Sequence, residues 1–275
     1  MDNVYGHPSV KRALNALIKR SQEHYYNKCV LGRTEVQSPL KLLLIGPSGT
    51  GKTHLINSLR KQYDFPFLSL DATSLTPVGN NGGINSVQLK KMIYDVAHQE
   101  LKKPQYHSAE GVISQMVIFV DEFDKLGNSW DASGTWNSHV QSNFLTLIDD
   151  KDEFAGISWI FAGAFSKLFE NKKSNGIGFF KVAEGPKQLI SDQDILNAGI
   201  IPELLGRISL VLQLDTFTEQ DYLAILNNML LPLYSGLPEL SEETKINMAR
   251  TAMNSGLGIR NLSRQLEHMS IEAQL

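Results

Sequence analysis

The residues best suited to chemistry lie in one glycine-rich segment, Gly46–Thr53, which reads GPSGTGKT. An apolar run, Leu42–Ile45, precedes this segment and a helical pattern, His54–Tyr63, follows it, as expected for a buried strand and a helix joined by a turn. Glycines allow turns in which successive N–H groups point at phosphate oxygens, and the positive end of the following helix adds to that attraction. The segment matches the phosphate-binding pattern G-x-x-x-x-G-K-S/T in its usual strand–helix context, so we predict a phosphate site here.

Within this segment two side chains have distinct predicted roles. We expect Lys52 to reach the β- and γ-phosphates of a bound nucleotide and Thr53 to place its hydroxyl on Mg²⁺. The alternative is a glycine-rich loop that matches the pattern by chance. The residues predicted to contact the nucleotide here are Pro47, Ser48, Gly49, Thr50, Gly51, Lys52, Thr53 and His54.

A pair of carboxylates follows a second apolar run. Met116–Val120 is continuous and apolar, as expected for a central strand of a parallel sheet, and it leads directly into Asp121 and Glu122. Carboxylates at the end of a buried strand are costly unless they are used, and that end of a parallel sheet is where nucleotides bind. We therefore expect Asp121 to hold Mg²⁺, directly or through water, and Glu122 to polarise the attacking water. The alternative is an ordinary acidic turn.

The composition is that of a soluble globular protein from a reducing compartment. Hydrophobic residues make up 42% and charged residues 20% of the 275 residues, and a single cysteine, Cys29, can form neither an internal disulfide nor a cysteine-rich zinc site. No apolar run approaches the roughly 20 residues of a membrane-spanning helix, and the N-terminus lacks a signal-peptide core, so we expect a cytoplasmic protein with no membrane partner. The net charge of −3 and the absence of a basic cluster with interleaved aromatic residues argue against a nucleic-acid partner.

Strands alternate with helices as far as Asp215, and the pattern then changes to helices only. The fold class predicted from this alternation is α/β, with a parallel five-stranded sheet flanked by helices in a large domain, 1–215, followed by a small all-α domain, 216–275. The predicted strands are 42–45, 67–70, 116–120, 157–161 and 208–214. The predicted helices are 8–28, 54–63, 86–101, 139–149, 192–197, 202–205, one from 218 to about 231, and two that begin at 241 and 259. A polar loop is predicted over 127–138.

Three segments of the chain, Gly46–Thr53, Val117–Leu126 and Gly199–Arg207, carry a family resemblance. Together they resemble the AAA+ ATPases, and among these the ATP-driven protein unfoldases of the ClpX and HslU type. The matches are collinear from residue 4 to residue 262. The shorter ones are Val4–His7, which resembles the element that wraps adenine, Gly163–Phe165 after the fourth core strand, Gly176–Phe179, which resembles a peptidase-docking loop, and Gly258–Leu262, which resembles the motif called sensor 2.

The resemblance implies an ATPase that takes ATP and Mg²⁺ at the phosphate site. Val4 and Tyr5 would contact the adenine, and Arg260 would reach the phosphates, the alternative for Arg260 being an ordinary exposed helix charge. Arg207 would act in trans as an arginine finger on the ATP of a neighbouring subunit. That role requires a homo-oligomeric ring, for which the family implies a hexamer. The alternative for Arg207 is a solvated arginine at a helix end.

The parts with which those unfoldases handle substrate differ here. Asn80, in the segment Gly79–Gly82, stands where they carry an aromatic side chain that grips polypeptide in the pore. The second pore loop is reduced to the short acidic segment 150–156, and Ala162-Gly163 offers no polar side chain at the position of sensor 1. We also expect no counterpart of the zinc-binding N-terminal domain of ClpX. We therefore expect a ring that remodels one specific protein client rather than a processive unfoldase.

Two alternatives to this function stay open. A nucleotide-gated scaffold or adaptor would assemble on ATP, with slow or incidental hydrolysis. An unfoldase subunit would instead dock a ClpP-like peptidase through Ile177–Phe179, although a flexible glycine loop is the other interpretation of that tripeptide.

Overall fold

A five-stranded parallel sheet forms the centre of the fold. The computed structural model describes residues 6–77, 83–127, 135–170, 189–234 and 236–273. The strand order is β2-β3-β4-β1-β5, and every neighbouring pair is parallel. The strands are β1 (Lys41–Ile45), β2 (Phe67–Asp71), β3 (Val117–Asp121), β4 (Ser158–Gly163) and β5 (Leu210–Gln213). The predicted α/β class and the five predicted strands are confirmed, with ends that differ by one or two residues.

The three inner strands are buried on both faces. β4 is buried throughout, and the apolar residues of β1 and β3 are buried as well. Continuous apolar runs are expected for parallel strands that helices cover on both sides. The two edge strands, β2 and β5, carry exposed positions instead.

The sheet order places the carboxyl ends of β1, β4 and β3 side by side. β4 lies between β1 and β3, and all three run in the same direction. Their carboxyl ends, Ile45, Asp121 and Gly163, therefore lie along the same edge of the sheet, which is where open parallel sheets bind ligands. Ile45 leads directly into the glycine-rich segment.

Helices connect and follow the strands. Side-chain caps begin several of them, including a capping box in which Asn85 and Gln88 exchange hydrogen bonds with each other's backbone N–H groups. The α-helices are α1 (Pro8–Tyr25), α2 (Lys52–Gln62), α3 (Ser86–Glu100), α4 (Ala109–Ile113), α5 (Thr135–Ile148), α6 (Ser166–Glu170), α7 (Asp192–Asn197), α8 (Pro202–Leu205), α9 (Glu219–Ile225), α10 (Glu242–Asn254) and α11 (Ile259–Glu272).

The helices depart from the sequence prediction in several places, and the predicted helix 8–28 is α-helical only to Tyr25, before a π-turn, Tyr26–Val30. α5 begins at Thr135, so the end of the predicted loop 127–138 is helical. α4 and α6 are not predicted, because five residues are too few to show a helical period. The helix predicted from 218 to 231 is α-helical only to Ile225 and then widens into a π-turn, Leu226–Leu230, before a 3₁₀ turn that contains Pro232. Proline lacks the N–H that would continue the α-helix.

The described residues form two compact units, each discontinuous in sequence. One unit takes residues from 12–45 and 63–213 and contains the whole sheet. The other takes residues from 1–11, 46–62 and 214–275 and has its own apolar core, which includes Phe217, Leu226, Leu262 and Leu266. The division into domains 1–215 and 216–275 stays a prediction. Among the described residues, no helix has the length and apolar character needed to span a membrane.

Candidate phosphate-binding site

The glycine-rich segment forms a tight loop between β1 and α2. Gly49 and Gly51 have φ angles of 80° and 85°, in the left-handed region that favours glycine. The hydroxyl of Thr50 donates a hydrogen bond to the carbonyl oxygen of Pro47 at 2.8 Å, and its N–H donates to the same oxygen at 3.4 Å. The loop therefore closes through its own backbone before α2 begins at Lys52.

Lys52 turns its side chain back across this loop. Its Nζ donates hydrogen bonds to the carbonyl oxygens of Gly46 at 2.5 Å and Pro47 at 3.0 Å, which holds the ammonium group at the loop. Thr53 follows on the first turn of α2, with an exposed side chain. An ammonium group, the N-terminus of a helix and a hydroxyl are the groups that bind a nucleoside triphosphate and its Mg²⁺, so the residues present fit such a ligand.

The start of α11 lies against the same loop. A methyl group placed on Gly49 would lie 2.6 Å from the carbonyl oxygen of Leu257 and 2.8 Å from Cα of Gly258. Gly258 is itself left-handed, with a φ of 61°, and it precedes α11 directly. Arg260 is the second residue of that helix and is exposed. The structure therefore brings the helix that carries Arg260 up to the phosphate loop.

His7 contacts the loop from the N-terminal segment. Its Nε2 lies 3.2 Å from the carbonyl oxygen of Thr50, which makes Nε2 the protonated nitrogen because a carbonyl can only accept. Its ring centroid is 5.3 Å from that of Phe217. Burial lowers the pKa of His7, although the Thr50 hydrogen bond and the carboxylates of Asp215 and Asp221 oppose that shift. Neutral His7 therefore fixes this carbonyl of the loop, a contact that the sequence does not reveal.

Asp121 and Glu122 lie at the carboxyl end of β3, as predicted. The Asp121 carboxylate accepts a hydrogen bond from the N–H of Glu122 at 2.9 Å. Glu122 is exposed and has a φ of 54°, a left-handed conformation that is costly for a residue with a Cβ and is found most often at functional sites. Among the described residues, no group of three or more His, Cys, Asp or Glu side chains is placed to hold a metal ion. Mg²⁺ commonly takes only one or two carboxylates and completes its shell with phosphates and water.

A carboxylate that sequence reasoning missed lies beside the end of β4. Oδ1 of Asp124 accepts a hydrogen bond from the N–H of Ala164 at 3.0 Å. A methyl group on Gly163 would lie 2.8 Å from that oxygen and 2.6 Å from the ring of Phe165. Because there is no room for a side chain at position 163, the polar group at this point comes from Asp124. The only signal in the sequence is that Asp124 follows Glu122 by two residues.

Arg207 lies near the amino ends of the strands, opposite the edge formed by their carboxyl ends. The N–H of Ser209 donates to the carbonyl oxygen of Lys41 at 2.7 Å, which places the segment after α8 beside the amino end of β1. The side chain of Arg207 forms two hydrogen bonds with Asp149, from Nε to Oδ1 at 2.5 Å and from Nη2 to Oδ2 at 2.9 Å. The length of β1, about 13 Å at 3.3 Å per residue, separates this edge from the one that carries Asp121. The structure therefore does not bring Arg207 to Asp121 and Glu122 of the same chain.

Several predicted residues lie outside the described part of the chain. They are Val4 and Tyr5 of the adenine element, Asn80 of the pore-loop segment and Ile177–Phe179. The segment 150–156 is described and forms a turn, in which Oδ1 of Asp150 accepts hydrogen bonds from the N–H groups of Asp152 and Phe154. His54, the last predicted phosphate contact, is exposed on α2, with Nε2 3.5 Å from the hydroxyl of Ser58.

Comparison with known proteins finds two curated relatives and one family model that match the chain. The chain is 25% identical, over 83% of its length, to "ATP-dependent Clp protease ATP-binding subunit ClpX 2" of Wolinella succinogenes. It is 26% identical, over 98% of its length, to the ClpX subunit of Treponema denticola. Residues 42–173 match the model of the ATPase family associated with various cellular activities, AAA. Residues 42–173 therefore resemble an AAA domain, and the chain is similar to ClpX subunits.

The region that matches the AAA model contains both parts of the predicted nucleotide site. Lys52, Thr53, Asp121 and Glu122 all lie within residues 42–173, whereas Arg207 and Arg260 follow them. The aligned regions span 64% of the length of the Wolinella relative and 73% of the Treponema relative. The match to the AAA model therefore covers the phosphate loop and the acidic pair.

Proposed function

We propose that this chain binds ATP with Mg²⁺ and hydrolyses it. The observation that carries the proposal is the geometry of the loop after β1, where Gly49 and Gly51 are left-handed and the ammonium group of Lys52 is held at the loop. The names of the two relatives, ATP-binding subunits of an ATP-dependent protease, support ATP as the nucleotide.

In this proposal each residue has a separate task. Lys52 and the first turn of α2 bind the phosphates, and the oxygens of Thr53 and Asp121 hold Mg²⁺, which neutralises phosphate charge when it is bound. Glu122 accepts a hydrogen bond from the attacking water and orients it towards the γ-phosphate. Arg260 reaches the phosphates from the start of α11, which lies against Gly49.

We propose further that Arg207 acts on the ATP of a neighbouring subunit in a homo-oligomeric ring. The position of Arg207 at the amino edge of its own sheet, about 13 Å from the carboxyl edge, supports action in trans. A hexamer is the ring that the resemblance to ClpX favours. The stabilisation of transition-state charge by such an arginine is worth on the order of 10³-fold or more in rate.

The proposed substrate of the ring is one specific protein client in the cytoplasm, which ATP turnover would remodel. Docking of a ClpP-like peptidase through Ile177–Phe179 is a further possibility that the names of the relatives support. The second candidate function is a nucleotide-gated scaffold or adaptor. One observation favours it, because the end of β4 has no room for a sensor 1 side chain at Gly163 and has the Asp124 carboxylate there instead.

Two substitutions test the proposed chemistry. Glu122→Gln should retain ATP binding but lower turnover by about 10²-fold or more, since it removes the group that activates water. Lys52→Ala should weaken ATP binding itself. Lys61 is an exposed lysine on the same helix, so Lys61→Ala is the matched control and should leave ATP binding unchanged. ATP affinity and phosphate release measure the two effects, and unchanged turnover in Glu122→Gln would refute the assigned role.

The same variant separates the two candidate functions. A remodeller should hydrolyse ATP, and its Glu122→Gln form should retain a bound client that can be recovered with the ring. A scaffold should assemble equally well with a non-hydrolysable ATP analogue and show negligible turnover even when its partner is present.

A further inference from the structure

We propose that Asp149 is a positioning residue for the arginine finger: it holds one edge of the Arg207 guanidinium so that the other edge can meet the phosphates of the neighbouring subunit. This inference rests on the proposed trans role of Arg207. It adds a second residue, 58 positions away in sequence, to the catalytic arrangement between subunits.

The hydrogen bonds between the two side chains define which edge is used. Nε donates to Oδ1 at 2.5 Å and Nη2 donates to Oδ2 at 2.9 Å. Asp149 therefore binds the edge of the guanidinium that is formed by Nε and Nη2. A guanidinium has five N–H bonds in one plane, of which this pairing uses two. The remaining three, on Nη1 and Nη2, point away from the carboxylate and have the geometry for two parallel bonds to phosphate oxygens.

Both backbones that carry this pair are anchored in the core. Asp149 directly follows α5, and its N–H donates to the carbonyl oxygen of Leu145 at 2.8 Å, next to the buried residues Leu147 and Ile148. The N–H of Arg207 donates to the carbonyl oxygen of Leu204, which is fully buried in α8. The aspartate therefore offers a fixed point to a long side chain that would otherwise sample many rotamers.

The exposure of the pair argues against a role in folding. The side chain of Arg207 is 47% exposed and that of Asp149 is 41% exposed. Exposed ion pairs contribute little to stability, because water screens the charges and ordering two side chains costs entropy. A bidentate pair at the surface is better explained by the orientation it imposes on the guanidinium.

Two further cations, Lys41 and Lys151, lie near this carboxylate. The Arg207 hydrogen bond lowers the pKa of Asp149, so the carboxylate stays charged throughout the neutral range. Burial lowers the pKa of Lys41, and Arg207 lowers it further, whereas Asp149 raises it. Asp149 thus lies near three cations but makes its two close hydrogen bonds with Arg207, and a neutral side chain at position 149 would leave these cations without that counter-charge.

The test compares Asp149→Asn with Asp149→Glu. Asparagine keeps the shape but loses the charge and one of the two acceptor oxygens, so we expect kcat for ATP to fall about 10-fold, part of the finger's contribution. The KM for ATP and the oligomer size measured by sedimentation should not change, because in this proposal Asp149 contacts Arg207 and not the nucleotide. Glutamate restores a two-oxygen carboxylate and should recover part of kcat. Lys41→Gln, which removes another cation near Asp149, is the control and should retain kcat.

A double-substitution cycle separates positioning from a structural role. If Asp149 acts only through Arg207, Asp149→Asn should have no further effect on kcat in an Arg207→Ala background. Equal losses in both backgrounds, or a kcat for Asp149→Asn at or above that of the natural protein, would overturn the inference. Turnover that is lost in Arg207→Ala but unaffected in Asp149→Asn would leave the proposed function standing and remove this inference alone, whereas no turnover by the natural protein would overturn both.

Discussion

Gly49 is subject to two constraints at once. Its φ of 80° lies in the left-handed region, and a methyl group on its Cα would lie 2.6 Å from the carbonyl oxygen of Leu257. The first constraint penalises any side chain by roughly 1–2 kcal/mol. The second adds a steric clash with a backbone atom, which a rotamer change cannot relieve. The position therefore requires glycine for the approach of α11 as well as for the turn.

We predict that Gly49→Ala lowers the free energy of unfolding by more than the roughly 1–2 kcal/mol expected for the left-handed conformation alone. It should also weaken ATP binding, because the loop and the start of α11 must move apart to admit the methyl group. Urea denaturation measures the stability, and nucleotide titration measures the affinity.

Gly256→Ala is the matched control for this substitution. Gly256 has a similar φ of 70°, but nothing lies within 4 Å of the methyl group that the substitution would add. It should show the conformational penalty without the clash and without a loss of ATP affinity. Equal destabilisation by the two substitutions would mean that contact with Leu257 is unimportant.

At the scale of elements, Gln141 joins three segments. Nε2 of this fully buried residue donates hydrogen bonds to the carbonyl oxygens of Leu126 at 2.9 Å and Gly199 at 3.0 Å. Oε1 accepts a hydrogen bond from the N–H of Ile201 at 2.9 Å. One amide on α5 therefore links the 3₁₀ turn that follows Glu122 to the segment that leads into α8 and Arg207.

We predict that Gln141→Leu lowers the free energy of unfolding by about 2 kcal/mol or more, because the buried carbonyl oxygen of Leu126 loses its donor, at a cost of roughly 1–3 kcal/mol, and the part-buried groups of Gly199 and Ile201 lose their partner as well. Urea denaturation provides the measurement. The control is Gln193, an exposed glutamine on α7 whose side chain donates a hydrogen bond to Asn197. Gln193→Leu should change the free energy of unfolding by less than about 0.5 kcal/mol. A loss of similar size in both variants would show that the buried network contributes little.

The sequence predicts the sheet well because the physics of a buried parallel strand is local. Each inner strand is a run of consecutive apolar residues, and helices α7 and α8 match their predicted ranges because they begin with a capping serine and a proline respectively. The sequence also places Asp121 and Glu122 at the end of β3, because these residues directly follow the apolar run that forms the strand.

What the sequence does not predict depends on packing between distant segments. The pairing of Asp149 with Arg207 and of Asp124 with Ala164 requires the strand order, which no local pattern specifies. Gln141 gives a faint signal as a polar residue on the apolar face of α5, three positions before Phe144. The left-handed conformation of Glu122 has no sequence signal, because glutamate is not a residue that favours it.

At the scale of the whole molecule, the proposed role of Arg207 makes the catalytic unit larger than one chain. Arg207 and Asp149 lie at the amino edge of the sheet, whereas Asp121 and Glu122 lie at its carboxyl edge, about 13 Å away along β1. A subunit that uses both sets of residues must obtain one of them from a neighbour. This predicts that two inactive variants can complement each other in one assembly.

The prediction uses Arg207→Ala and Glu122→Gln. Each alone should have turnover reduced by about 10²-fold or more, since one lacks the finger and the other lacks the group that activates water. Co-assembled in equal amounts, they should recover about a quarter of the natural turnover, because random placement puts an Arg207→Ala site beside an intact finger at one interface in four. Phosphate release by the mixed assembly measures the recovery.

The control for complementation replaces Glu122→Gln with the double variant Glu122→Gln/Arg207→Ala. This partner has the same defective site but supplies no finger, so the mixture should stay as inactive as either variant alone. Recovery with the single variant and none with the double variant can arise only if Arg207 serves the site of another chain. If neither mixture recovers turnover while both co-assemble normally, Arg207 has no role in trans, and the arginine paired with Asp149 is a surface charge of its own subunit.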